Sequence, residues 1–250
     1  MESPGAAVGG LSVRGQPMRS WLPQALLLVY LAVTLAVFVA QPVLAFPRSA
    51  PQPWAAFLAG LVYLIGAIWT FSVRRSRPAG QALTLFSASL AMALAGLGDL
   101  FGDGAFAGLW ALALGVASGA AFDLAFLFPR EEAFLRRRRG LLLAGFAPGL
   151  ALTLAAWLSL GGVIAPGVAR AVLGWQAVWL CLMILFCLAW IALRQMRTAM
   201  ATEREQARLA IFGGVISYGP WMIWLGVHLA NGRPVETPPP AILLPLAIFP

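Results

Sequence analysis

The sequence contains no lysine and few charged residues of any kind, so it lacks the surface that a water-soluble domain needs. Charged residues make up 10% of the 250 positions, whereas hydrophobic residues make up 61%. A soluble globular domain carries roughly a quarter charged residues. Lipid is therefore the solvent for much of this chain, and the bilayer is the partner that the composition predicts. The net charge of +8 comes from arginine, and we attribute it to cytoplasmic loops rather than to a nucleic-acid interface.

Histidine and cysteine are also scarce, which excludes several kinds of site. His228 is the single histidine, and Cys181 and Cys187 lie in one apolar segment on different faces of a helix. The two cysteines therefore cannot bridge each other, and no zinc-type spacing is present. The sequence also lacks a glycine-rich phosphate loop, a nucleophile elbow, an HExxH motif and a two-carboxylate constellation. We therefore predict no enzyme, no metal site and no cofactor within these 250 residues.

Seven apolar runs are long enough to cross a bilayer, which takes roughly 20 residues of helix. They cover residues 21–40, 54–73, 81–100, 106–128, 141–163, 171–193 and 208–230. An eighth run, 241–250, is too short to span and is predicted to be the start of a helix that continues beyond Pro250. The sequence thus predicts an all-α, polytopic integral membrane protein. Its helix bundle covers residues 21–250, and residues 1–20 form a disordered cytoplasmic tail.

Arginine is distributed unevenly between alternate loops. Fourteen of the 17 arginines fall in the N-terminal tail and in the loops after the second, fourth and sixth runs. Because cytoplasmic loops are rich in basic residues, this asymmetry places the N-terminus and those loops in the cytoplasm. Four tryptophans fall near the opposite, outer ends of the runs, where amphipathic rings commonly sit: Trp54, Trp110, Trp157 and Trp175.

Few charged residues lie inside the apolar runs, and Asp123 in the fourth run is the most informative of them. Gly115, Gly119 and Asp123 recur every four residues and share one helix face. Since the glycines permit close approach of another helix, we expect Asp123 to face protein rather than lipid. A structural role, such as a pair with Arg130, is favoured over a proton or ligand role. Asp99, at the outer end of the third run, is interpreted as part of a solvated turn.

The seventh run carries a face that can donate hydrogen bonds. Its members are spaced so that they share one side of a helix: Ser217, Trp221, Trp224 and His228. Pro220 should kink this helix. His228 could ligate a single pigment molecule or sense external pH, but an interfacial histidine is more often satisfied by a neighbour. The capping-box pattern of Thr202 and Glu205 predicts that the helix begins in water, before it enters lipid.

Two short motifs lie in segments predicted to be cytoplasmic, TEREQAR before the seventh apolar run and FLFPR at the end of the fourth. They resemble motifs in the multi-span N-terminal membrane regions of bacterial sensor histidine kinases and related signalling proteins. The segment TEREQAR, followed by an apolar helix, is similar to the ER-Q-Q-x-R-W pattern at the start of a late helix in those regions. The end of the fourth run, FLFPR, is similar to their FPxxR ending. The matching residues of the first segment are Glu203, Arg204, Gln206 and Arg208. The resemblance implies a membrane input module in the bacterial cytoplasmic (inner) membrane, with any kinase-type effector beyond Pro250.

Three functions remain open from the sequence. The first is a non-catalytic sensory or input module of a bacterial signalling protein. Its ligand would be small, lipidic or membrane-embedded, because the outer loops are too short to form a binding domain. The second is a structural or accessory subunit of a larger respiratory or photosynthetic membrane complex, and the third is a small transporter. A homodimer or a larger membrane complex is the protein partnership that these alternatives imply.

Overall fold

The helices of the structure follow the predicted spans closely. A computed structural model of the protein describes residues 21–44, 53–100, 106–129, 140–163, 166–197, 200–231 and 238–248. Within these ranges every regular element is helical, and 7 helices are long and apolar enough to cross a membrane. They are α1 (Trp21–Leu44), α2 (Pro53–Arg74), α3 (Pro78–Leu100), α4 (Ala107–Leu127), α5 (Gly140–Leu160), α6 (Pro166–Arg197) and α7 (Ala201–Ala230). The predicted polytopic all-α bundle is confirmed, whereas the predicted tail over 1–20 lies outside the described ranges.

Proline begins several helices, and two helices extend further than their apolar spans. Pro53, Pro78 and Pro166 are the first residues of α2, α3 and α6, where a missing N–H leaves no helical bond unmade. α6 has 32 residues and α7 has 30, which correspond to about 48 and 45 Å of helix. Both exceed the hydrocarbon core, which is roughly 30 Å thick. The predicted spans 171–193 and 208–230 correspond to the apolar part of each helix, and both helices extend beyond them.

α7 begins before its apolar span, as predicted, but without the predicted cap. Its N-cap residue is Met200, which has an extended backbone (ψ 124°), and no side chain caps the helix. A capping residue needs a non-helical backbone, whereas Thr202 already lies inside the first turn of α7. The capping-box assignment of Thr202 and Glu205 is therefore wrong. α7 then continues through Pro220 as one helix.

The eighth run is less regular than the helix that the sequence predicts. One helical turn, α8 (Pro240–Leu243), passes into a 3₁₀ helix, η1 (Leu244–Ile248). Pro245 explains the change, because it has no N–H to donate to the carbonyl of Ala241. Leu243 and Leu246 are buried, and the segment 240–248 packs against both α2 and α7. A regular α-helix from residue 241 is therefore wrong for the described part of the run, and continuation beyond Pro250 stays a prediction.

α3 and α4 form the centre of the bundle. α3 packs against α1, α2 and α4, and α4 packs against α3, α5 and α6. Both central helices are buried along most of their length, whereas α1, α5 and α7 expose most of theirs. The close backbone neighbours of α7 are α6 and the segment 240–248. α7 therefore lies at the periphery, while α3 and α4 contribute most of the interior.

The peripheral helices turn large apolar side chains outward. Leu143 on α5 is 74% exposed and Ile223 on α7 is 70% exposed, as expected for positions that contact lipid. Three of the four tryptophans assigned to the outer interface are also exposed: Trp54, Trp157 and Trp175. Trp110 differs, because only 7% of its side chain is exposed and it belongs to the main core. Its ring is enclosed by neighbouring helices, so it faces protein rather than the surroundings of the bundle.

Candidate functional site

α4 and α5 cross with their backbones in contact, which glycine makes possible. A Cβ atom added to Gly115 would lie 2.8 Å from the carbonyl oxygen of Gly149, and one added to Gly149 would lie 2.6 Å from the carbonyl oxygen of Gly115. One turn away on α4, Gly119 packs against the ring of Phe146. Such close approach of small residues is the usual means of joining helices in lipid. The predicted contact of Gly115 and Gly119 with another helix is present, and the neighbour is α5.

A buried hydrogen-bonded group, here called the polar knot, fastens α6 to this crossing. The side-chain amide of Gln176 in α6 donates to the carbonyl oxygen of Ala111 in α4 at 3.0 Å and to the hydroxyl of Thr153 in α5 at 2.9 Å. The Thr153 hydroxyl lies 3.0 Å from the Ala111 carbonyl oxygen and 2.9 Å from that of Gly149. It has one hydrogen and donates to one of these at a time. Since unpaired polar groups are costly in hydrocarbon, the polar knot stabilises one arrangement of α4, α5 and α6.

The space beneath α7 is filled much less completely. A cavity of about 170 Å³, here called the α7 cavity, lies between α3, α4, α6 and α7. Residues with one side-chain carbon or none form much of its wall: Ala79, Gly80, Ala121, Ala210 and Gly214. It reaches Arg74, where α2 ends and α3 follows after a short turn. We call this end of the bundle, with exposed Arg74, Arg75 and Arg77, the arginine-rich end.

Tyr218 on α7 stands at the inner end of the α7 cavity. Together with Ile184 it also lines a second cavity of about 50 Å³, so these two side chains stand between the two spaces. The hydroxyl of Tyr63 in α2 donates to the Tyr218 oxygen at 2.8 Å, and both tyrosines are buried. The ring of Phe86 in α3 lies edge-on to that of Tyr218, with 6.2 Å between centroids. Side chains therefore connect α7 to α2 and α3, across a gap that the backbones do not close.

The second cavity is bordered by a buried tryptophan. Trp110 contributes to its wall, and the indole Nε1 has no hydrogen-bond partner among the described residues. The residues that line the α7 cavity are mostly apolar, and Arg74 is the charged residue among them. A cavity of about 150 Å³ is large enough to hold benzene, so the α7 cavity can hold an apolar group of that size. No cluster of three potential metal ligands occurs within the described parts of the chain.

The predicted hydrogen-bonding face of α7 is divided between different surroundings. Ser217 is fully buried, and its hydroxyl has no partner in the part of the chain that the structure describes. Trp221 lines the smaller cavity. Trp224 instead contacts His228, with 4.2 Å between ring centroids, and its carbonyl oxygen lies 3.2 Å from the His228 Nδ1. His228 is therefore engaged by a residue one turn away, and its assignment as a pigment ligand or pH sensor stays a prediction.

Asp123 and Asp99 lie away from the α7 cavity. α4 lines that cavity with Ala121, Leu124 and Phe128 rather than with the face that carries Gly119 and Asp123. The Asp123 Oδ1 atom is buried and has no hydrogen-bond partner among the described residues. The expected pair with Arg130 concerns a residue outside the described ranges. Asp99 lies in the last turn of α3, and its predicted solvated turn continues into residues that the structure does not describe.

The residues that carry the family resemblance form the first turns of α7. Arg204, Gln206 and Arg208 are exposed, whereas Glu203 is partly buried. The helix then turns Ala210, Gly214 and Tyr218 toward the α7 cavity, at a spacing of four residues. Ala210 follows Ala201 by about 14 Å along the helix axis. The same helix therefore connects the cavity wall to the exposed motif.

Sequence reasoning missed the side chains that organise the interior. Tyr63, Tyr218 and Gln176 are all polar and all lie inside apolar runs, where an unpaired donor is costly. The chain contains 3 tyrosines, and the third, Tyr30, is paired with Ser89 at 2.8 Å. Their polar character inside apolar runs could have identified them as buried hydrogen-bonding residues. It could not have shown which residue bonds to which.

The chain matches no protein-family model, and no curated protein or solved structure is significantly similar to it.

Proposed function

We propose that this chain is the membrane-embedded input module of a bacterial signalling protein, located in the cytoplasmic membrane with its arginine-rich end in the cytoplasm. The observation that carries the proposal is the double role of α7. Its residues Ala210, Gly214 and Tyr218 line the α7 cavity, and its exposed first turns carry Arg204 and Gln206 on the same continuous helix. Occupancy of the cavity and the position of the motif are therefore mechanically linked.

The two sides of the bundle differ in how closely they are packed, which supports a movement of α7 relative to α4, α5 and α6. The glycine crossing and the polar knot hold α4, α5 and α6 together, so these helices act as the fixed frame. A molecule in the α7 cavity gains contacts with both the frame and α7, and it favours the arrangement that encloses it best. Helix shifts of this kind are typically about 1–2 Å. A rigid helix carries such a shift to its first turns, where an effector in the same chain or in a partner would detect it.

The test places one spin label on the frame and one on α7. Cysteines replace Gly140 at the start of α5 and Glu205 at the start of α7, both exposed positions, in a Cys181→Ala/Cys187→Ala background. Ala210→Phe then fills the α7 cavity from its wall, in imitation of a bound ligand. Double electron–electron resonance spectroscopy in nanodiscs should show that Ala210→Phe changes the mean distance between the two labels by about 1–2 Å or more.

Val215→Phe is the matched control, because Val215 also lies on α7 but is 55% exposed to the lipid side. It adds a ring to the same helix without entering the cavity and should leave the distance distribution unchanged. If Ala210→Phe and Val215→Phe give the same distribution, α7 does not respond to its cavity. That result would refute the input-module proposal and favour a structural subunit with a static α7.

A further inference from the structure

We infer that the α7 cavity binds a single-chain anionic amphiphile, with its charged headgroup at Arg74 and its alkyl chain directed toward Tyr218. The inference rests on the proposed function for its biological meaning, because it names the ligand class of the same site. Binding itself is a separate property and is tested separately below.

The shape of the cavity favours an alkyl chain. Its wall on α7 runs from Ala210 through Gly214 to Tyr218, which is about 12 Å along the helix axis. On α6 the wall runs from Ile184 to Ile191, about 10 Å in the same direction. The space is thus elongated parallel to the helices. Alanine and glycine leave it open, and leucine, isoleucine and phenylalanine make it apolar. An extended hydrocarbon chain matches this combination of length and lining.

The size of the cavity argues for one chain rather than two. A volume of about 170 Å³ is close to that of cavities that hold one benzene ring. Interiors are otherwise close-packed, and empty apolar space forfeits contacts on all of its walls. A single alkyl chain would supply those contacts, whereas the two chains of an ordinary phospholipid would not fit side by side.

Charge fixes the orientation of the chain. Arg74 is the charged residue of the cavity wall, and it is exposed at the arginine-rich end. Arg75 and Arg77 follow on the same turn and are also exposed. A guanidinium pairs well with a carboxylate or a phosphate. At the other end the residues that line the cavity carry no charge, so an inverted anionic headgroup would be buried without an opposite charge. A fatty-acid carboxylate and a lysophospholipid phosphate share the required chemistry.

The binding test uses the whole chain in digitonin, a neutral detergent without an alkyl chain, with tritiated decanoic acid as a probe that has one alkyl chain and one carboxylate. We expect saturable binding that Arg74→Gln weakens about tenfold, as for loss of one charge-assisted pair. Arg75→Gln is the matched control, because it removes an equally exposed charge from the neighbouring position, outside the cavity wall. It should change the Kd less than twofold. The methyl ester of the probe should bind equally well to the Arg74→Gln variant and to the unaltered chain.

Ala210→Phe locates the probe, since it should abolish binding while Val215→Phe leaves it intact. Equal effects of Arg74→Gln and Arg75→Gln would overturn the headgroup assignment, and unaltered binding to Ala210→Phe would overturn the site. Displacement of the probe by lauric acid, by lysophosphatidylglycerol or by both supports the inference and identifies the source of the anion, whereas displacement by neither overturns it. If the probe binds but the label distance between residues 140 and 205 is the same in the Ala210→Phe and Val215→Phe variants, the binding site is supported and the input-module proposal is refuted. If Ala210→Phe changes that distance but the probe does not bind to the unaltered chain, the inferred ligand class is refuted instead.

Discussion

The side of the bundle formed by α4, α5 and α6 differs from the side covered by α7 in what fills the space between the helices. Between α4 and α5 the backbones touch at Gly115 and Gly149, and Gln176 closes the third side with hydrogen bonds. Beneath α7, Ala210 lines a cavity instead, and Gly214, which lines the same cavity, also packs against the side chain of Leu188 in α6. Small residues therefore accompany both a close helix crossing and an open space in the same molecule.

The difference follows from what stands opposite each small residue. Gly115 faces another glycine, so two backbones can meet and their carbonyls can accept side-chain hydrogen bonds. Ala210 shares its cavity with other residues that have little or no side chain, among them Ala79 and Ala121, and the backbone of α7 does not pack closely against α3 or α4. In lipid, where no hydrophobic force draws helices together, packing and hydrogen bonds determine which contacts close. The side formed by α4, α5 and α6 is held by direct contacts between its helices, whereas the side covered by α7 leaves space for another molecule.

The largest effect should come from crowding the glycine crossing. Gly149→Ala would place a Cβ atom 2.6 Å from the carbonyl oxygen of Gly115, and backbone cannot move aside as a flexible side chain can. We expect a loss of about 1–3 kcal/mol or more in the free energy of unfolding, as for overpacked cores. Unfolding by SDS titration in mixed micelles measures this free energy.

Gly226→Ala is the matched control for the comparison, since a Cβ atom at Gly226 on α7 would meet nothing within 4 Å. Its stability should be unchanged or slightly higher, because alanine favours the helix over glycine. If the two alanine variants are equally stable, α4 and α5 do not cross as closely as described, and the distinction between the two sides disappears.

The next largest effect should come from the polar knot. Gln176→Leu keeps a side chain of similar volume but removes the donor to Ala111 and Thr153. Hydrogen bonds between membrane helices average about 0.6 kcal/mol each, so we expect the loss of two to lower the free energy of unfolding by about 1 kcal/mol. Gln206→Leu, at an exposed position near the start of α7, should change the free energy of unfolding by less than half as much. A Gln176→Leu variant as stable as the unaltered chain would show that shape alone joins the three helices.

The spans could be predicted from the sequence because they depend on local composition. Each helix has to carry roughly 20 apolar residues, and this property is visible without knowledge of any neighbour. The role of Gly115 and Gly119 could be predicted for the same reason, because glycine permits close approach of a neighbouring helix whatever the identity of that helix. The eighth run shows the limit, because Pro245 changes its hydrogen bonding within a segment whose hydropathy suits a helix.

The α7 cavity could not be predicted, because it is a property of four helices at once. The residues that line it occur in ordinary apolar runs, and nothing local separates Gly214 from Gly115. Trp110 illustrates the same difficulty, since its place near a helix end predicts an interfacial ring but its neighbours enclose it. The pairing of Tyr63 with Tyr218 joins residues 155 positions apart. Such contacts depend on which helices are adjacent, and hydropathy does not determine that order.

The smallest effect, and the one that sharpens the comparison most, concerns the bond between Tyr63 and Tyr218. Tyr63→Phe, Tyr218→Phe and the double variant form a cycle in which each change removes one hydroxyl and little volume. Since buried hydrogen bonds between membrane helices average about 0.6 kcal/mol, we expect a coupling energy of that size. Tyr30→Phe combined with Tyr218→Phe is the control, because Tyr30 pairs with Ser89 instead and the two changes should be additive. A coupling energy near zero for Tyr63 and Tyr218 would mean that their hydroxyls do not hold α7 against α2. If the coupling is present, the Tyr63–Tyr218 hydrogen bond holds α7 more weakly than the polar knot holds α6. A helix that shifts when a ligand binds requires such a weak attachment.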